Sequence, residues 1–211
     1  MTDRPPTMSA GLPTHTRRPA TSLAVAVSEV FAPAILLSVF LAVTALGSSP
    51  WPRGALLALV AVGSTTALPL LVVVALVRRG HLVDHHISDR RQRTPVLAGT
   101  LVSIGVGLVL LLLLDAPRVL VGAVLCTVGG VVVVLVVNLW WKLSAHSAVV
   151  VFVVAGCIVL LGGWACLLLV VPAAVGWSRV RLQAHTPAQV LAGYALGAAI
   201  GVAFAVVGAN G

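Results

Sequence analysis

The chain has 211 residues, of which 60% are hydrophobic and 9% charged, with a formal net charge of +8. That composition excludes an ordinary water-soluble domain, so lipid is the expected solvent. The 13 Lys and Arg against five acids fit an anionic membrane surface or phosphorylated ligands; because these cations lie in short loops between apolar runs, no nucleic-acid partner is expected.

Residues 1–21, rich in Pro, Thr and Arg, read as a disordered basic tail, and 22–211 as a single membrane-embedded domain. The apolar run from Ser22 to Leu46 is longer than the core of a signal peptide, so it is read as a retained span. Further runs from Gly54 to Val77, Val96 to Leu114 and Val119 to Asn138 are each long enough to cross about 30 Å of hydrocarbon as helix. Asp115, Ala116, Pro117 and Arg118 form a tight turn between the last two. Ser147 to Val175 reads either as one tilted helix or as two short ones broken at Gly162, Gly163 and Trp164. The hairpin is preferred, because paired glycines suit a turn better than a helix interior. Its arms are short for lipid-exposed spans and are expected to be inner helices. A final run from Ala188 to Val207 completes an all-α, polytopic bundle of about seven membrane helices, with the short inner hairpin at 147–177. Cys126, Cys157 and Cys166 lie within apolar stretches without paired spacing and read as packing residues.

With seven crossings, the loops after the second, fourth and sixth helices share one face with the N-terminal tail. That face carries every histidine and all cationic residues except Arg53 and Arg118. The positive-inside rule makes it cytoplasmic in a multi-pass protein of the cell membrane.

Three segments on this face carry chemistry. The first runs from Asp84 through His85, His86, Arg90, Arg91 and Arg93 to Pro95. It reads as a lipid-headgroup anchor or as arginines forked onto phosphate oxygens. Zinc on Asp84, His85 and His86 is disfavoured, because adjacent side chains seldom converge on one ion. The second runs from Trp140 to His146. Ser144 is a natural N-cap, exposed backbone N–H groups at that helix start can bind an anion, and His146 lies beside them as a proton donor. Alternatively, the segment is an interfacial aromatic belt with Lys142 snorkelling. The third runs from Gly176 to Gln189, where Thr186, Pro187 and Gln189 make a capping box that holds His185 at the membrane boundary near Arg179 and Arg181.

Together these segments resemble the type 2 phosphatidic acid phosphatase superfamily, α-helical lipid phosphate phosphatases that also include vanadium haloperoxidases; the resemblance covers roughly residues 84–208. Its pattern is a lysine seven residues before Arg-Pro, then Pro-Ser-Gly-His, then Ser-Arg followed by His and, four residues on, Asp. Arg93 matches the first arginine, Ser144 and His146 the second motif, and Ser178, Arg179 and His185 the third. His86 stands at the lysine position, Thr94 separates Arg93 from Pro95, Leu143 and Ala145 flank Ser144, and Gln189 replaces the aspartate.

The resemblance implies that His185 attacks phosphorus to form a phosphohistidine while His146 protonates the leaving oxygen and later activates water. It also implies that Arg93 and Arg179, with Ser144, Ala145, Ser178 and His86, bind the phosphoryl group. Gln189 would fix the His185 tautomer without a carboxylate's charge, so reduced activity is expected. Neither a metal nor another cofactor is implied. The expected substrate is a lipid phosphate drawn from the bilayer: a polyprenyl phosphate or diphosphate, phosphatidic acid or phosphatidylglycerol phosphate. The rival readings are a catalytically silent phospholipid-binding or scaffold protein of the same fold and, from Glu29 and Pro33 in the first span, a transporter.

Overall fold

The computed structural model describes residues 19–79 and 90–209, with side chains over 20–79 and 98–207. Every regular element among them is helical, as expected where each backbone N–H and C=O must pair within its own segment. In chain order the α-helices are α1 (Pro19–Val30), α2 (Pro33–Ser48), α3 (Arg53–Val62), α4 (Leu68–Arg78), α5 (Arg90–Leu113), α6 (Arg118–Asn138), α7 (Ala145–Leu161), α8 (Val170–Arg181) and α9 (Pro187–Ala209).

Several of these join into longer rods. α1 and α2 form one apolar run, Ala20–Ser48, interrupted where Ala32 turns extended ahead of Pro33. α3 and α4 are continuous through a π-helical turn, Gly63–Ala67. Within it Ser64 and Thr66 return their hydroxyls to the carbonyls of Val60 and Val62. Pro69 has no N–H to offer the π-register carbonyl of Ser64, and Ser103 Oγ donates to that carbonyl instead at 2.6 Å.

Five helical runs are long and apolar enough to cross a membrane: Ala20–Ser48, Arg53–Arg78, Arg118–Asn138, Gly163–Arg181 and Pro187–Val207. Ala98–Leu113 and Ala145–Leu161 are shorter apolar helices. Their outer surfaces are hydrocarbon: Leu167 is 80% exposed, and Leu71, Val102, Leu113 and Val170 are also bare. Such a surface belongs in lipid, and the chain has the make-up of a multi-pass membrane protein.

The chain turns back at Gly162, whose φ of 88° suits glycine alone. It continues as a 3₁₀ stretch, Gly163–Leu169, into α8, and both pieces pack along α7. The hairpin expected at 147–177 therefore runs from Ala145 to Arg181, but its arms differ from expectation. α7 is interior, with Val150, Phe152, Val153 and Val154 buried, whereas the return arm exposes Leu167, Leu169 and Val170. The physical reason is length: seven residues at about 2.0 Å and twelve at about 1.5 Å reach roughly 30 Å, enough for a lipid-facing arm.

α7 and α9 run parallel and very close. A Cβ on Gly193 would lie 2.6 Å from the Ser144 carbonyl oxygen; one on Gly197 would collide with the Ala148 carbonyl, and one on Gly201 with Ala155. This four-residue spacing of small residues brings two backbones together. At the centre, Phe40, Phe152 and Phe204 pack edge to face, with centroids 5.4, 5.5 and 6.2 Å apart.

The two ends of the bundle are tied differently. At one end α5 closes with Asp115 in the left-handed region, φ 50°, and Ala116 N–H bonded to the Leu111 carbonyl. There Arg53 donates to the carbonyls of Leu114 and Asp115 at 2.9 and 2.8 Å. At the other end Lys142 Nζ donates to the Ala184 carbonyl at 2.8 Å, joining the second and third sequence segments.

Candidate functional site

The end of α8 sets the position of His185. Gln183 adopts φ 54°, Gln183 N–H bonds to the Val180 carbonyl, and Ala184 N–H bonds to the Arg179 carbonyl at 3.1 Å, a Schellman closure made without glycine. His185 N–H reaches the same Arg179 carbonyl at 3.3 Å. The histidine is therefore held by backbone to the arginine six residues before it.

The start of α9 sets the ring. Thr186 Oγ1 accepts from Gln189 N–H at 3.3 Å, while Gln189 Oε1 accepts from Thr186 N–H at 3.1 Å, the reciprocal capping box read from the sequence. The same Oε1 lies 3.2 Å from His185 Nδ1. Capping and orienting the histidine are thus two bonds to one oxygen. With Nδ1 carrying the proton toward Gln189, Nε2 of the half-buried His185 keeps its lone pair.

Ser144 caps α7: its Oγ accepts from Ser147 N–H at 3.4 Å and lies 2.9 Å from Ser147 Oγ. Ser144 N–H donates to the Gln189 carbonyl at 3.4 Å, so the first turns of α7 and α9 are joined directly. Leu143 N–H is taken by Asn138 Oδ1 at 3.1 Å, which fixes the approach to this cap. Ala145 and His146 are the first two residues of α7, both half-buried. Helix starts of this kind leave backbone donors for an anion.

Among the residues expected to bind phosphate, Ser178 is fully buried, with its hydroxyl donating to the Val175 carbonyl at 2.7 Å. The Arg179 side chain is also buried, 9% exposed, and its Nη1 donates to Ser28 Oγ at 2.6 Å. Its Nε is buried without a partner among the described residues, and Glu29, next to Ser28, is near enough to act on the guanidinium electrostatically. Arg93 lies in the first turn of α5, its side chain outside the described residues; His86 also lies outside them.

The structure therefore brings Lys142, Ser144, His185 and Gln189 into one bonded cluster and sets Arg179 against α1. Sequence reasoning missed Ser28 as the arginine's partner and Lys142 as a tie between loops. Glu29 had stood out only as an intramembrane acid; its neighbour's position one step along the same helix was the available signal. No family model matches the chain, nor does any curated protein or solved structure.

Proposed function

We propose that the protein is an integral membrane phosphatase of lipid phosphates, a seven-helix member of the type 2 phosphatidic acid phosphatase superfamily. The observation that carries the reading is the contact of His185 Nδ1 with Gln189 Oε1 at 3.2 Å, beside the capped start of α7. A nucleophilic histidine needs its far nitrogen held by an acceptor that fixes the ring, and a phosphoryl group needs backbone donors close by. Both needs are served within one bonded cluster.

In this reading His185 Nε2 attacks phosphorus, the bond to the leaving oxygen breaks, and His146 gives that oxygen its proton. His146 then takes a proton from water, which hydrolyses the phosphohistidine and releases phosphate. Arg93, Arg179 and the N–H at Ala145 hold the phosphoryl oxygens, with His86 adding charge when protonated, while the Ser144 N–H is already given to the Gln189 carbonyl. The substrate reaches the site from the bilayer as an amphiphile, on the face that the positive-inside rule assigns to the cytoplasm.

His185→Ala, purified in detergent, is expected to lose phosphate release from polyprenyl phosphates and phosphatidic acid by at least about a thousandfold; undiminished release would overturn the assignment. A second reading, a phospholipid-binding protein without turnover, is favoured by one feature: the amide of Gln189 brings no charge to steady a cationic His185. Stoichiometric lipid phosphate binding with no release by the wild type would select it.

A further inference from the structure

A half-open cavity of about 270 Å³ lies among the helices, walled almost wholly by carbon from α2, the π turn, α4, α5, α6, α7 and α9. Its wall includes Ala145 and Ala148, in the first turns of α7 just past the Ser144 cap. Phe152, seven residues past Ala145 along α7 and so about 10 Å deeper, also lines it. That ring is held between Phe40 and Phe204, so this part of the wall is rigid.

The polar groups of the wall include the hydroxyls of Thr65, Thr66, Thr100 and Thr127. Thr66 is bonded to Ser38 and to the Val62 carbonyl, and Thr127 to the Ala123 carbonyl; Thr65 Oγ1 is buried without a partner among the described residues. Ordered water needs two to four polar partners, whereas apolar cavities stay dry and take apolar guests. The volume holds about nine groups of roughly 30 Å³ each, the size of one chain segment rather than two.

We infer that this cavity takes the first eight or nine carbons, about 10 Å, of a single hydrocarbon chain, with Phe152 limiting its depth. The inference rests on the phosphatase reading for the head group, which sits at the start of α7. It narrows the ligand to amphiphiles that present one chain to the protein, any second chain staying in the bilayer. Phe152 becomes a specificity-determining residue for what the chain carries beyond its first segment.

The test uses the full chain in lipid nanodiscs and a monoalkyl phosphate bearing a diazirine near its eighth carbon. After irradiation, adducts are mapped by peptide mass spectrometry. Adducts are expected on Phe152, Ile104 and Ile200. Labelling confined to the lipid-facing Leu110 and Leu113 would overturn the proposal. Ala34→Phe and, from the opposite wall, Val131→Phe fill the cavity and are expected to cut wall labelling at least fivefold while leaving Leu113 labelling unchanged. Unchanged wall labelling in a filled variant that keeps its melting temperature also overturns it. Phe152→Ala is expected to admit a probe with its diazirine near the twelfth carbon, moving adducts to Phe40 and Phe204; no movement rejects Phe152 as the limit on depth. The corresponding alkyl alcohol separates the two readings. Equal wall labelling by alcohol and phosphate leaves the chain pocket standing and removes the phosphate site beside it, whereas loss of wall labelling with phosphate release intact removes the pocket alone.

Discussion

At the scale of single residues, the proposed phosphatase turns on Gln189. Its Oε1 serves both the Thr186 cap and His185 Nδ1, two jobs that a carboxylate would divide between two oxygens while adding a negative charge. Gln189→Glu keeps the side-chain length and adds a negative charge beside the imidazolium that would form as His185 reacts, so turnover is expected to rise about tenfold or more, measured as kcat for phosphate release. A fall in kcat would show that the amide's second role outweighs the charge. Gln189→Leu breaks both bonds, and its melting temperature is expected to drop by the equivalent of about 1 kcal/mol, the usual worth of a helix cap. Arg179 poses a different case. Its buried Nε without a partner is the kind of unmet donor that a phosphoryl oxygen would satisfy.

At the scale of elements, the parallel contact of α7 with α9 holds the site together, since it carries Ser144 and Gln189 to their bond. Gly197→Leu forces a side chain into the Ala148 backbone and is expected to lower the detergent melting temperature by at least about 5 °C, with phosphate release lost alongside. A stable, active Gly197→Leu would mean that the helices contact each other more loosely. Much of this architecture was legible beforehand. Apolar run lengths gave the helices, Gly162 and Gly163 gave the reversal, and Thr186 to Gln189 gave the capping box, because each depends on neighbours in sequence. The π turn at Gly63–Ala67 and the 3₁₀ stretch after Gly162 were not legible, since both are set by packing and by freed carbonyls rather than by periodicity. The Arg179 contact with Ser28 spans 151 residues, and no local pattern announces such a pairing.

At the scale of the whole molecule, charge separates the two ends. Arg53 is spent on the Leu114 and Asp115 carbonyls just past α5 at one end, while Lys142, Arg179 and Arg181 gather at the other. With the native cysteines replaced by serine, Gln183→Cys is expected to react with an impermeant maleimide only from the cytoplasmic side, and Ser49→Cys only from outside. The reverse pattern would place the site outside and leave its geometry untouched. The same end has a further electrical property. α7 and α9 both begin there, side by side and parallel, so their peptide dipoles reinforce one another where antiparallel neighbours would cancel. Each helix start is equivalent to roughly half a positive charge. The negative end of α8 arrives beside them, but it is tempered by Arg181 in its last turn and by the closure at Gln183. The two positive helix starts, lying side by side, repel each other, and an anion placed over them relieves that repulsion. The fold thus carries an attraction for anions that comes from its backbone rather than from any side-chain charge.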